Sequence, residues 1–211
     1  MDSTEFDKNL TDLRLLIADG IGYLSSWYAI TNLDEESAKA LSRYRGFFKL
    51  AQLSFRYSSL LQFSKIFDHH PRALSIRNLL KAAEENRQAL IPYASDEDLE
   101  RIKSLIEENK EVLTSLKNFR DQRLAHYDSE LSKNTSLTYG QVKKLVSDLK
   151  EMFDILTLGH DHSQTSFDHY ENQAEHHTNE VIKLMREDRD KSKQKISELT
   201  DERMKDDFPF P

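Results

Sequence analysis

The sequence contains no cysteine. That excludes disulfides, thiolate zinc sites and cysteine nucleophiles, and a reducing cytoplasm is the compartment expected for it. Glycine and proline are scarce, at five and four in 211 residues, too little punctuation for a turn-rich all-β architecture. No apolar run approaches the roughly 20 residues needed to span a bilayer, so no membrane association is expected. The acidic, polar start, Met1 to Lys8, does not read as a signal peptide. There is no P-loop, no Gly-x-Gly-x-x-Gly and no Gly-x-Ser-x-Gly. Positive charge is also short: the net charge is −7. The field of the whole molecule repels a polyanion, and any RNA or DNA contact must use a local basic patch.

What is present is helical. Hydrophobic residues make up 37% and charged residues 32%, the balance of long helices with one wet face. The length suffices for one self-sustaining core. Leu10, Leu13, Leu16, Ile17, Ile21 and Leu24 recur at three- and four-residue steps and predict a helix over about 4–30. Gly20 and Gly22 weaken it and allow a neighbouring helix close. After a turn capped by Asp34, a long second helix is expected over about 35–67. Its bulky residues, from Leu41, Tyr44 and Phe48 to Phe63 and Phe67, predict extensive burial. Pro71 ends it at Asp68-His69-His70. Ser75 caps a shorter helix with Ile76, Leu79, Leu80 and Ala83 on one face, ending near Pro92.

Ser95-Asp96-Glu97-Asp98 is a capping-box pattern. It opens a helix expected to run without a break to about Tyr127. A polar connection over about 129–137 follows. Thr138-Tyr139-Gly140-Gln141 then opens a helix ending near Gly159. Beyond it the chain is charged, with a thin stripe of Val181, Leu184, Met185, Ile196 and Leu199, and Phe208-Pro209-Phe210-Pro211 cannot be helical. The expected architecture is all-α: an antiparallel bundle of about five to six helices over residues 1–160, followed by a charged helix and tail over 161–211, packed on the bundle or on a partner.

Chemistry concentrates in Lys117-Asn118-Phe119-Arg120-Asp121-Gln122-Arg123-Leu124-Ala125-His126-Tyr127-Asp128. An arginine fork matches phosphate oxygens, and histidine gives or takes a proton near neutrality. Together they suit RNA cleavage, in which a 2′-hydroxyl attacks the adjacent phosphorus, histidine handles the proton and arginine stabilises the phosphorane charge. Such chemistry needs no metal and no cofactor. Lys117, Arg120 and Arg123 form a local basic stripe at three-residue spacing. Arg120 and His126 point about 120° apart on an ideal helix. They share a site only if the helix loosens before His126, or if a second copy of the motif completes it. The plainer reading is a surface arginine beside a helix-terminal histidine stabilised by the dipole.

Arg120-Asp121, then Ala125-His126-Tyr127-Asp128, at the end of a core helix, resembles the motif of the HEPN superfamily of helical ribonucleases. Upstream, Phe63-Ser64-Lys65-Ile66-Phe67-Asp68 and Leu74-Ser75-Ile76-Arg77-Asn78-Leu79-Leu80 resemble its abortive-infection U-type branch. The resemblance runs from about Leu24 to Leu158. It implies a helical homodimer whose two motifs meet in one RNA-cleaving cleft, a toxin or antiphage-defence role, and a possible antitoxin partner. By the same resemblance, Arg120 binds the scissile phosphate, His126 transfers the proton, and Asp121 orients either one. Lys117, Arg123 and Tyr127 are the expected substrate contacts. A carboxylate there must be paired, and Arg123 or the partner's arginine is the expected mate of Asp121. The alternative is a non-catalytic module that binds RNA or protein through the same face, since some HEPN members are inactive.

Two histidine groups stand outside this motif. His160, His162, His169, His176 and His177 lie among carboxylates, but ligands two helical turns apart cannot reach one ion, and a solvated polar face is the expectation. His69-His70 reads as a helix-end feature.

Overall fold

The computed structural model describes residues 1–125 and 137–206. Among these residues the chain forms α1 (Ser3–Thr31), α2 (Glu35–Ser42), α3 (Arg45–Ile66), α4 (Ile76–Glu85), α5 (Arg87–Leu90), α6 (Asp96–Glu108), α7 (Lys110–Ala125), α8 (Tyr139–Asp161) and α9 (Asp168–Asp206), with no strand. It is an all-α bundle. The expected polar connection and the Phe-Pro tail fall outside the described residues, apart from Leu137, which is buried.

The helix starts follow from local chemistry. The carboxylate of Asp34 accepts the Ser37 N–H at 2.7 Å, and the Ser75 hydroxyl accepts the Asn78 N–H at 3.3 Å. Ser95 and Asp98 form a reciprocal capping box, as do Thr138 and Gln141.

α1 is the central element. It packs against α3 and α9 and also meets α4, α5 and α8. Phe6, Leu13, Ile17 and Ile21 are buried along it. They meet Leu60, Phe63 and Ile66 of α3, Leu79 of α4, and Leu145, Leu149 and Phe153 of α8 in one continuous core. Burying each such side chain stabilises the fold by about 1.5–3 kcal/mol. Gly20 brings α1 and α3 together, because a Cβ there would sit 2.9 Å from the Phe63 ring. Gly22 has only an ordinary contact with Ala174.

Three expected helices are broken. The helix capped by Ser75 divides at Asn86, between α4 and α5, where φ is −143 and ψ 55. The long second helix divides at Arg43 and Tyr44, where Tyr44 has φ −116 and ψ 33. Leu41 is buried as expected, but the first half of α3 is largely wet, contrary to the extensive burial predicted: Tyr44, Phe47 and Leu50 are exposed. Burial begins in earnest at Ser59, where α3 runs beneath α1. The helix after Ser95 breaks at Asn109, which is buried. Its side-chain amide donates to Leu105 C=O at 2.8 Å and to the Asp148 carboxylate at 2.6 Å. The bond to Leu105 C=O competes with the regular helix ladder, and the bond to Asp148 ties this point to α8.

α9 packs on α1 and α2. Ile182 is its buried anchor, whereas Val181, Leu184, Ile196 and Leu199 of the expected stripe are exposed. Arg186 pairs with Asp34 at 3.2 Å and Arg189 with Glu36 at 3.0 Å. Among the described residues, no helix is long and apolar enough to cross a membrane.

α8 runs two residues past Gly159 and ends at His162, in the left-handed region with φ 62. The Tyr93 N–H donates to Gly159 C=O at 3.0 Å, and a Cβ on Gly159 would come within 2.7 Å of Ala94 Cβ. Gly159→Ala is therefore expected to lower the unfolding free energy by about 1–2 kcal/mol, because overpacking outweighs the gain in helix propensity. Gly140→Ala, whose Cβ would meet nothing within 4 Å, is expected to be neutral or to stabilise by up to about 1 kcal/mol. Urea unfolding of the two variants checks the contrast.

Candidate functional site

Arg120 lies on the last turns of α7. Leu116 and Phe119 are buried in the core, and Phe119 packs its ring 5.6 Å from that of Tyr57 on α3. With those two positions turned inward, Lys117 and Arg120 fall on the neighbouring face. Both line an open groove of about 770 Å³ between the end of α3, the start of α4 and the α6–α7 junction. Asp68, His69, His70, Arg77, Glu107 and Lys110 also line it.

The segment after α3 is tied down by local bonds. The His70 N–H donates to the Asp68 carboxylate at 3.0 Å. The Asn78 side chain donates to His70 C=O at 2.9 Å and to Ala73 C=O at 2.7 Å. Asp68 then reaches α7, where its carboxylate accepts Arg120 Nη1–H at 2.6 Å. Arg120 Nε donates to Asp121 at 2.9 Å. The Arg120 side chain is only 20% exposed, so this pairing holds its guanidinium in one place. Asp121, expected to pair with Arg123 or with a partner's arginine, has its own chain neighbour Arg120 as its described partner.

The other charges in the groove differ in commitment. Lys110 pairs with Glu107 at 2.7 Å. Arg77 and Lys117 make no ion pair with another described residue, although Glu107 lies within electrostatic reach of Arg77. Arg77 Nε is buried without a hydrogen-bond partner, and so is Ser64 Oγ. Two carboxylates against one guanidinium leave the Arg120 trio negative, and Arg77 and Lys117 reverse that sign. A phosphate is the ligand this balance suits.

A HEPN-type family model, AbiU2, matches residues 3–181. The chain belongs to the HEPN AbiU2 family. The match begins at the first residue of α1 and extends into α9, wider than the stretch in which the motif resemblance was visible. No curated protein and no solved structure matches the chain.

For this HEPN AbiU2 chain, the motif residues divide into two groups. Lys117, Arg120 and Asp121 are placed together beside the groove. The side chain of Arg123, together with His126 and Tyr127, lies outside the described residues. The late histidines are dispersed. His160 Nδ1 meets Leu90 C=O, His162 stacks on Tyr93 at 3.9 Å, and His169 lies edge-on to Tyr170. Among the described residues, no three His, Asp or Glu are grouped to hold a metal.

Sequence reasoning missed Asp68, His69 and Arg77 as members of this site. Asp68 and Arg77 stood inside the two stretches that carried the family resemblance. Their local signals, a helix end and a first helical turn, gave no hint of α7 some 40 to 50 residues away.

Burial works to raise the Asp68 carboxyl, but the His70 N–H and the Arg120 guanidinium outweigh it and hold it below its ordinary value. Ionised Asp68 therefore favours the folded chain above about pH 4, and this contribution fades as pH falls through its lowered folded value. Partial burial, then the positive charges of Arg77 and Lys117, push the His69 imidazole below its ordinary value. Below about pH 6.5 the unfolded chain takes up that proton more readily, which also disfavours folding. His69→Gln is expected to shrink the loss of melting temperature between pH 7 and pH 5. Asp68→Asn is expected to lower stability at pH 7 by roughly 1–2 kcal/mol, because it leaves Arg120 half-buried with one partner fewer. Thermal melts across pH check both.

Proposed function

We propose that this chain is a metal-independent endoribonuclease of the toxin or antiphage-defence type. It cleaves RNA by attack of a 2′-hydroxyl on the neighbouring phosphorus. Arg120 stabilises the charge developing on the phosphoryl oxygens, His126 transfers a proton, and Asp121 fixes the orientation of Arg120. Lys117, Arg123 and Tyr127 contact the substrate. The working form is a homodimer in the cytoplasm, with the two motifs facing one cleft, and a protein antitoxin is a candidate partner.

The observation that carries this reading is the fixed Arg120 guanidinium beside a groove with two uncommitted cations. A guanidinium has five N–H donors. Asp68 and Asp121 engage one on each nitrogen, and two remain for a phosphate. Holding the charge in place beforehand is what stabilises a transition state rather than merely binding substrate.

One observation favours a second reading. Arg120 is already held by two carboxylates, as it would be in a purely structural network. On that reading the same face binds RNA or a protein without cutting it. Cleavage of a single-stranded RNA in EDTA separates the two. Arg120→Ala and His126→Ala are each expected to slow cleavage by roughly 10²–10⁴-fold while melting cooperatively. Cleavage by both variants at the wild-type rate, or cleavage that the chelator abolishes, overturns the nuclease mechanism.

A further inference from the structure

Transfer of a ribose 2′-oxygen onto phosphorus involves two proton movements, one off the attacking hydroxyl and one onto the departing 5′-oxygen. The arginine–histidine motif supplies one imidazole per chain. The groove beside Arg120 holds two more, His69 and His70.

These two differ in what binds them. His70 Nδ1 accepts the Arg72 N–H at 3.2 Å, which commits its ring to the turn after α3. The His69 ring makes no hydrogen bond or ion pair with another described residue, and the residue is exposed. Charged groups reach it from every side of the groove: Asp68 from its own segment, Arg77 from α4, and Lys117 and Arg120 from α7. Glu107 and Lys110 line the same groove as a mutual pair.

We infer that His69 is a catalytic proton-transfer residue of this groove, taking the proton of the attacking 2′-hydroxyl while Arg120 holds the phosphate. The inference rests on the ribonuclease reading above. In the step, the 2′-oxygen forms a bond to phosphorus and the bond from phosphorus to the 5′-oxygen breaks. The hydroxyl proton passes to a ring nitrogen of His69. The leaving 5′-oxygen gains its proton from solvent water. The products are a 2′,3′-cyclic phosphate and a 5′-hydroxyl. No oxidant, reductant or further reactant is needed. The same surroundings lower the His69 imidazole from its ordinary value and so favour its neutral form: the loss of water on the groove side first, then Arg77 and Lys117, against the opposing pull of Asp68. A base must be neutral to accept a proton.

The test is the single-turnover rate of RNA cleavage against pH, with full-length wild type, His69→Gln and His69→Ala, each checked by thermal melt. The wild-type rate is expected to fall on the acid side as His69 takes up a proton. His69→Gln is expected to be slower by about 10²–10⁴-fold and to lose that acid limb. Added imidazole is expected to restore part of the activity of His69→Ala and none of that of Arg120→Ala. A His69→Gln rate within about threefold of wild type overturns the inference and leaves the ribonuclease reading standing. A slow His69→Gln that keeps the wild-type acid limb, with no imidazole rescue of His69→Ala, also overturns it and assigns His69 a structural part. A folded wild type that cuts no RNA overturns the ribonuclease reading and this inference with it.

Discussion

The ion pair between Arg120 and Asp68 joins two parts of the chain that share no sequence neighbourhood, and the site's arrangement depends on it. α7 contributes the cation; the segment after α3 contributes the anion. Both side chains are largely shielded, so the attraction is screened less than at an open surface. Its cost is desolvation, and it is stabilising only because further bonds surround it. Those bonds are present: the His70 N–H on Asp68, and the Asp121 carboxylate on Arg120. The segment is in turn held by Asn78, whose amide bridges two carbonyls, and by the Ser75 cap of α4. Arg120 is thus aimed by a chain of contacts reaching from α4 to α7.

This arrangement also shows how an acidic protein can hold a groove whose uncommitted charges are positive. The net charge is −7. Many charges are matched locally, as in Lys39 with Glu35 and Lys103 with Glu84. Within the groove the Glu107–Lys110 pair cancels, while Arg77 and Lys117 remain uncommitted among the described residues. Local imbalance, rather than total charge, sets the potential that an approaching phosphate meets.

Much of the fold was readable because the helix starts are local chemistry. Asp34, Ser75, Ser95 with Asp98, and Thr138 with Gln141 each act within four residues, and each caps the helix its pattern indicated. The break at Asn86 was not readable, nor were those at Tyr44 and Asn109. Hydrophobic periodicity runs through the latter two, and at the second the Asn109 amide bonds Leu105 C=O and, across to α8, the Asp148 carboxylate. Burial of α3 was misjudged for a related reason. Phe47 and Leu50 have the side chains of core residues, yet both remain exposed, while Phe48 and Gln52 on the other side of α3 face α1 and α2. At the site, the arginine and its acidic neighbour were visible as a motif, while Asp68 and His69 looked like an ordinary helix end.

The amino-acid sequence alone determined the helical class, the capped starts and the family to which the chain belongs, because periodicity, capping and motif spacing act within a few residues. Tertiary structure decided which helices break, which apolar faces stay wet, and which groups surround Arg120. Those outcomes rest on contacts between segments tens of residues apart, and a contact of that kind leaves no periodic trace in the stretches it joins.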